Sequence, residues 1–207
     1  MGVLGASLVL ALGLARSAPA AAQAHGVRSG RLIAENEFAS VRDMAWSAGE
    51  VRPHAGAYDM TLVYLEGRPA GQVEFERRGA ARGAAAEPIA GRAIVIDLHD
   101  RAMAAYPNRT GYPPAFPRPG AKQLLENDRV VVWDYTFTPD VPSPVHFHER
   151  DVVVVFLGDG TLASNPLTGP TTTRDHTNGM AMFNPGNRAH TETLIRGTAR
   201  VIVVELR

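Results

Sequence analysis

Apolar residues in this chain come in short β-type runs separated by Gly, Pro and Asn turns, and no stretch carries the repeat of a long amphipathic helix. Four strands are predicted in the first half, at 40–46, 59–65, 72–76 and 93–98. Seven more are predicted at 129–138, 145–148, 151–157, 161–164, 180–183, 189–195 and 199–206. The class is therefore all-β. Within 145–148, His146 and His148 flank Phe147. Side chains alternate along a strand, so both imidazoles share one face. His190 lies 42 positions after His148 in another strand-like segment, and Glu192 shares its face by the same alternation.

The pattern repeats. Glu35-Asn36-Glu37 with Val41-Arg42-Asp43 matches Glu126-Asn127-Asp128 with Val132-Trp133-Asp134 at an offset of 91. His54, Asp59 and 63–65 match His146, Asp151 and 155–157 at an offset of 92. Residues 71–75 and 92–98 match 179–183 and 200–206 at an offset of 108, which makes the second copy longer by 16 residues between its two motifs. Five prolines between Tyr106 and Gly120 cannot continue a hydrogen-bonded ladder and suit a semi-rigid linker. The predicted organisation is two β units, 31–100 and 122–207, joined by a linker over 101–121. In the first unit Gly56 stands where His148 would be and Arg82 where His190 would be, so only His54 remains of the histidine set. That unit is expected to be a packing partner or lid, with Arg78 and Arg82 more naturally placed on a solvated loop than on a ligand.

Composition narrows the field. With 207 residues, 45% apolar content and formal charge +0, nothing recruits nucleic acid or an anionic membrane surface. Gly2 to Leu14 is small and apolar and leads to Ala22-Gln23-Ala24, so 1–24 is expected to be a cleaved secretory signal, giving an exported, periplasmic or extracellular protein. Arg16 and Pro19 interrupt the run before it could anchor in a bilayer. Cleavage would leave His25 at a mobile N-terminus. Cysteine is absent, which excludes disulfides and thiolate ligands. Any metal must be held by His, carboxylate or water.

Three imidazoles on a rigid β scaffold would hold one divalent transition metal (iron, copper, manganese, zinc or nickel) and leave positions open for water, oxygen or substrate. Glu192 could be a further ligand, an orienter of a ring N–H or a general base. His176, beside Asp175 in the insertion at 162–178, sits on a segment that could cover a barrel mouth or be only a surface hairpin. Trp133, Tyr135 and Phe137 are expected to pack inside, with an aromatic substrate wall as the sharper alternative.

The second copy resembles a cupin. Its first motif is met by His146-Phe147-His148, Asp151 and then six residues to Gly158; its second is met by Gly179, Pro185 and His190. With the repeat, the whole is similar to a bicupin whose first half is degenerate. The resemblance implies two antiparallel barrel or jelly-roll units in tandem, with a metal on His146, His148 and His190. It puts Asp151 in the place of the family's glutamate ligand. Glu149, Asp151, Glu192 and water are the candidates for the fourth position, and Glu149, Asp151 and Glu192 for proton handling. The implied activity is that of a dioxygenase or oxidase acting on a small molecule. The alternatives are a non-redox lyase or isomerase, or a non-catalytic metal or ligand carrier of the cell envelope. The resemblance leaves two options for assembly, a homodimer as in relatives that pair, or an internal repeat that satisfies that need within one chain.

Overall fold

The computed structural model describes residues 30–79 and 88–207. The expected signal segment, His25 and Arg82 lie outside the described residues, and no helix occurs among those that are described.

The first half forms one five-stranded antiparallel sheet from β1 (Arg31–Glu35), β2 (Ala39–Trp46), β3 (Asp59–Glu66), β4 (Val73–Glu76) and β5 (Gly91–Leu98), in the order β1-β2-β5-β3-β4. The second half repeats that sheet with β6 (Lys122–Glu126), β7 (Val130–Thr136), β9 (Val152–Phe156), β12 (Ala181–Asn184) and β14 (Arg200–Leu206), in the order β12-β9-β14-β7-β6. It then adds a four-stranded sheet, β11-β10-β13-β8, made of β8 (His146–His148), β10 (Gly160–Pro166), β11 (Thr172–His176) and β13 (Arg188–Gly197). The extra length of the second copy is thus the β10–β11 hairpin, which pairs with β13 across the sheet that carries the histidines.

Detail repeats along with order. The bulge between Leu32 and Ala34 in β1 recurs between Gln123 and Leu125 in β6. Asn36 Oδ1 accepts the amides of Phe38 and Ala39, and Asn127 Oδ1 those of Arg129 and Val130, closing both turns the same way. Arg92 grips Asp43 with two hydrogen bonds, and Arg200 grips Asp134 likewise.

Packing explains the continuous apolar runs. On the central sheet, Val130, Val132, Val153, Val155, Ile202 and Val204 face the sheet of the first half, against Val41, Val63, Ile94 and Ile96. Alternate residues Val131, Trp133, Val152, Val201 and Val203 face the other way, into the barrel interior with Phe116, Phe137 and Leu194. A strand buried on both faces has no polar side to show, so its sequence reads as unbroken Val and Ile.

The two halves meet reciprocally. A Cβ at Gly71 would come within 2.7 Å of Leu157 Cδ1 and 3.1 Å of Arg200, and one at Gly179 within 3.0 Å of Leu65 Cδ1 and 3.4 Å of Arg92. Both glycines sit at positive φ, +83° and +80°. Each half therefore presents the same turn to the same patch of the other, as in a two-fold pairing.

Candidate metal centre

His146 and His148 are buried on β8, with Phe147 turned to the opposite side of the strand. In β13, His190 lies directly across from His146 in the register. The three ring planes are inclined at 67–69° to one another, with centroids 4.8–5.0 Å apart. His148 Nε2 stands 3.2 Å from His146 Nε2 and 3.0 Å from His190 Nε2.

The outer nitrogens fix which atoms face inward. His146 Nδ1 lies 2.8 Å from the carbonyl oxygen of Pro144, which can only accept, so Nδ1 carries the proton and Nε2 presents its lone pair. His190 Nδ1 is 2.8 Å from Ser164 Oγ on β10, and His148 Nδ1 is buried without a partner among the described residues. Burial disfavours the charged form of each ring. It lowers His146 to about 4 and His190 to about 3, helped in His190 by the nearby Arg188 and Arg118 guanidiniums, and it holds His148 well below its ordinary value. All three are neutral at pH 7.

Three neutral rings with converging lone pairs repel one another unless a cation sits between them. Nitrogen donors at roughly 2.0–2.1 Å from a metal, at octahedral to tetrahedral angles, lie about 2.9–3.4 Å apart. The spacings of 3.0 and 3.2 Å fall in that range, so His146, His148 and His190 fit one metal ion.

The carboxylates divide. Glu192, on the His190 face of β13, reaches the site: its Oε2 is 4.0 Å from His146 Nε2 and 3.9 Å from Arg118 Nη1. Glu149 does not line the cavity and is not part of the histidine group, and its backbone carbonyl accepts the Tyr106 amide. Asp151 is buried, but its Oδ1 accepts the Gly186 amide at 2.7 Å, and it is not part of the histidine group. Its counterpart Asp59, in the half without the histidine set, accepts the Arg78 amide in the same way at 2.9 Å. A role kept where no metal set exists is the bracing of a loop. The chain leaves β8 and turns before β9, and after that turn the Asp151 carboxylate meets the loop before β13.

A cavity of about 140 Å³ opens beside the rings, lined by His148 and His190 with Phe137, Phe156, Leu162 and Met182. Arg118 and Phe116 enter it from the Pro-rich segment, which runs along β8: Phe147 N–H donates to Pro113 and accepts, through its carbonyl, the Ala115 amide. Arg188 enters from β13. His176 lines the cavity too, stacked on Phe156 with ring centroids 4.4 Å apart. The β10–β11 hairpin that carries it walls the site. Trp133 stacks on Phe116, and Tyr135 meets Phe137 edge to face, so the aromatic run packs while Phe137 also reaches the cavity. His54, the remnant in the first half, is exposed.

Arg118 and Arg188 were not among the expected site residues. Arg188 was legible, since alternation puts it on the face of His190 and Glu192. Arg118 was not, because it lies in what reads as a spacer.

Solved structures resemble all or part of this chain. A cupin 2 conserved barrel domain protein from Leptotrichia buccalis matches with a TM-score of 0.52 and 11% identity, covering 86% of this chain and 88% of that one. A cupin domain from Bordetella pertussis matches at 26% identity over 45% of this chain and 99% of its own, with a TM-score of 0.38. The polyketide cyclase RemF from Streptomyces resistomycificus matches at 26% identity over 50% of this chain and 80% of its own, with a TM-score of 0.35. No family model and no curated protein matches the sequence. The fold is that of a cupin, built here with a buried three-histidine group that could bind a metal. The likeness to the Leptotrichia buccalis protein is one of fold, and the two-halved arrangement of this chain is compatible with a bicupin.

Proposed function

We propose that this is an exported, mononuclear metal-dependent enzyme of the oxygen-using type, a dioxygenase or oxidase, acting on a small molecule held beside His146, His148 and His190. The observation that carries the reading is the convergence of three neutral, buried Nε2 atoms at 3.0–3.2 Å beside a cavity. A divalent metal bound there would supply Lewis acidity and, if redox-active, one-electron chemistry. Pro144 and Ser164 orient the outer ring edges, and Glu192, 4.0 Å from His146 Nε2, would take or return a proton at the cavity side. The apolar wall of Phe137, Phe156, Leu162 and Met182 excludes bulk water from the substrate's body.

The test is elemental analysis of protein recovered from the cell envelope, followed by oxygen uptake with candidate substrates. About one iron, copper or manganese per chain and substrate-dependent oxygen consumption are expected. Zinc or nickel with full turnover under anaerobic conditions would transfer the assignment to Lewis-acid lyase or isomerase chemistry. Metal-replete protein inert across a wide panel would make it a carrier. N-terminal sequencing of the same material is expected to begin at His25. His148→Ala is expected to lose metal and His54→Ala to keep it. Stoichiometric metal in His148→Ala would sink the ligand set.

A further inference from the structure

The cavity holds more positive charge than its own side chains balance. Arg118, Arg174 and Arg188 line it, and Glu192 is the sole carboxylate among the described lining residues. Arg118 is 7% exposed in its side chain, yet its nearest carboxylate oxygen, on Glu192, is 3.9 Å away, beyond hydrogen-bond length. Its Nε and Nη1 are fully buried with no hydrogen-bond partner among the described residues. Nε of Arg188 is in the same condition.

Aromatic rings flank the Arg118 guanidinium. Its guanidinium carbon sits 4.0 Å from the centroid of Tyr135, 4.7 Å from that of Phe116 and 5.6 Å from that of Phe137. Stacking of this kind stabilises the cation's faces and leaves its in-plane N–H edges unsatisfied. Those edges match a carboxylate in geometry and charge. The site is also close to the histidines: Glu192 Oε2 is 3.9 Å from Arg118 and 4.0 Å from His146 Nε2, so the guanidinium is no more than two ion-pair lengths from a ring nitrogen that faces inward.

We propose that the ligand of this cavity is a small organic carboxylate, its carboxylate held by the N–H edges of Arg118 and Arg188 beside the three histidines, and its apolar body lying against Phe137, Phe156 and Leu162. This rests on the reading of the cavity as the small-molecule site and adds the substrate class. A neutral carbonyl ligand offers a single acceptor oxygen and leaves the charge uncompensated, whereas a carboxylate offers two acceptor oxygens and balances the charge. The cavity of about 140 Å³ suits a ring-sized body and not a polymer.

The test is calorimetric titration of benzoate into the full-length protein, with and without metal, using benzamide as a neutral control of the same shape. Benzoate is expected to bind, with benzamide weaker by about ten-fold or more, the scale of one charge-assisted hydrogen bond. Arg118→Gln and Arg188→Gln are each expected to weaken benzoate by about ten-fold while retaining wild-type metal content. Arg118→Lys keeps the charge and loses the planar fork, so it carries the test if Arg118→Gln does not fold; its benzoate affinity is expected to fall as well. Equal affinities for benzoate and benzamide, no benzoate binding at millimolar concentration, or affinity unchanged in both glutamine variants would overturn the proposal. The two readings fail separately. Protein that takes up no metal yet binds benzoate through the arginines removes the metal assignment and keeps this one, and metal-loaded protein that ignores benzoate does the reverse.

Discussion

Burial that keeps three imidazoles neutral also makes the metal-free protein sensitive to acid. Histidine in the unfolded chain takes up a proton near pH 6.5, whereas His146 does so only near about 4 and His190 near about 3. Between those values the unfolded state binds more protons than the folded state, so stability is complete above about 6.5 and is lost as pH falls through the folded values. Thermal melts of metal-free protein are therefore expected to show a falling Tm from pH 7 to pH 4.5, with a shallower decline in His190→Gln. A Tm that is flat over that range would contradict the burial argument. At this scale the sequence exposed what alternation controls: His146, His148, His190 and Glu192 lie where period two puts them. It did not expose Asp151's true partner, because the spacing from His148 carries no information on which way a turn throws a side chain. Nor did it expose Arg118, whose place depends on the Pro-rich segment being laid against the edge of β8.

Strands with a strong apolar face were legible from their runs, and those held mainly by their neighbours were not. β1 and β6 share a mostly exposed pattern, and β11 is Thr172-Thr173-Arg174-Asp175-His176 with only its last residue buried. Such strands exist because β2, β7 and β10 offer them a ladder, which no local pattern announces. The repeat offsets were the better guide, since they predicted matched turns that the structure places in equivalent positions. Those turns have little tolerance. At Gly71 and Gly179, alanine would combine an unfavourable positive φ with a close approach to Leu157 or Leu65. Each of Gly71→Ala and Gly179→Ala is expected to cost about 1–3 kcal/mol, read from denaturant midpoints. The metal content should be unchanged, because a Cβ at either glycine would meet none of His146, His148 and His190.

The central sheet belongs to two cores at once. Val130, Val132, Val153, Val155, Ile202 and Val204 pack against the first half, so residues 122–207 expressed alone would expose a wide apolar face and are expected to aggregate. For the full chain, calorimetry is expected to give one transition with matching calorimetric and van't Hoff enthalpies. Two separated transitions would mean that the halves do not depend on their shared core. The reciprocal seating of Gly71 against Leu157 and Gly179 against Leu65 has a further consequence. In an assembly of two identical chains every substitution strikes both members, so one could not shed its histidines while the other kept them. Here the peptide link fixes a one-to-one ratio and holds the partners at high effective concentration. That arrangement lets the members specialise: one is free to lose its ligands and serve as scaffold, while the other alone must preserve the geometry of a metal site.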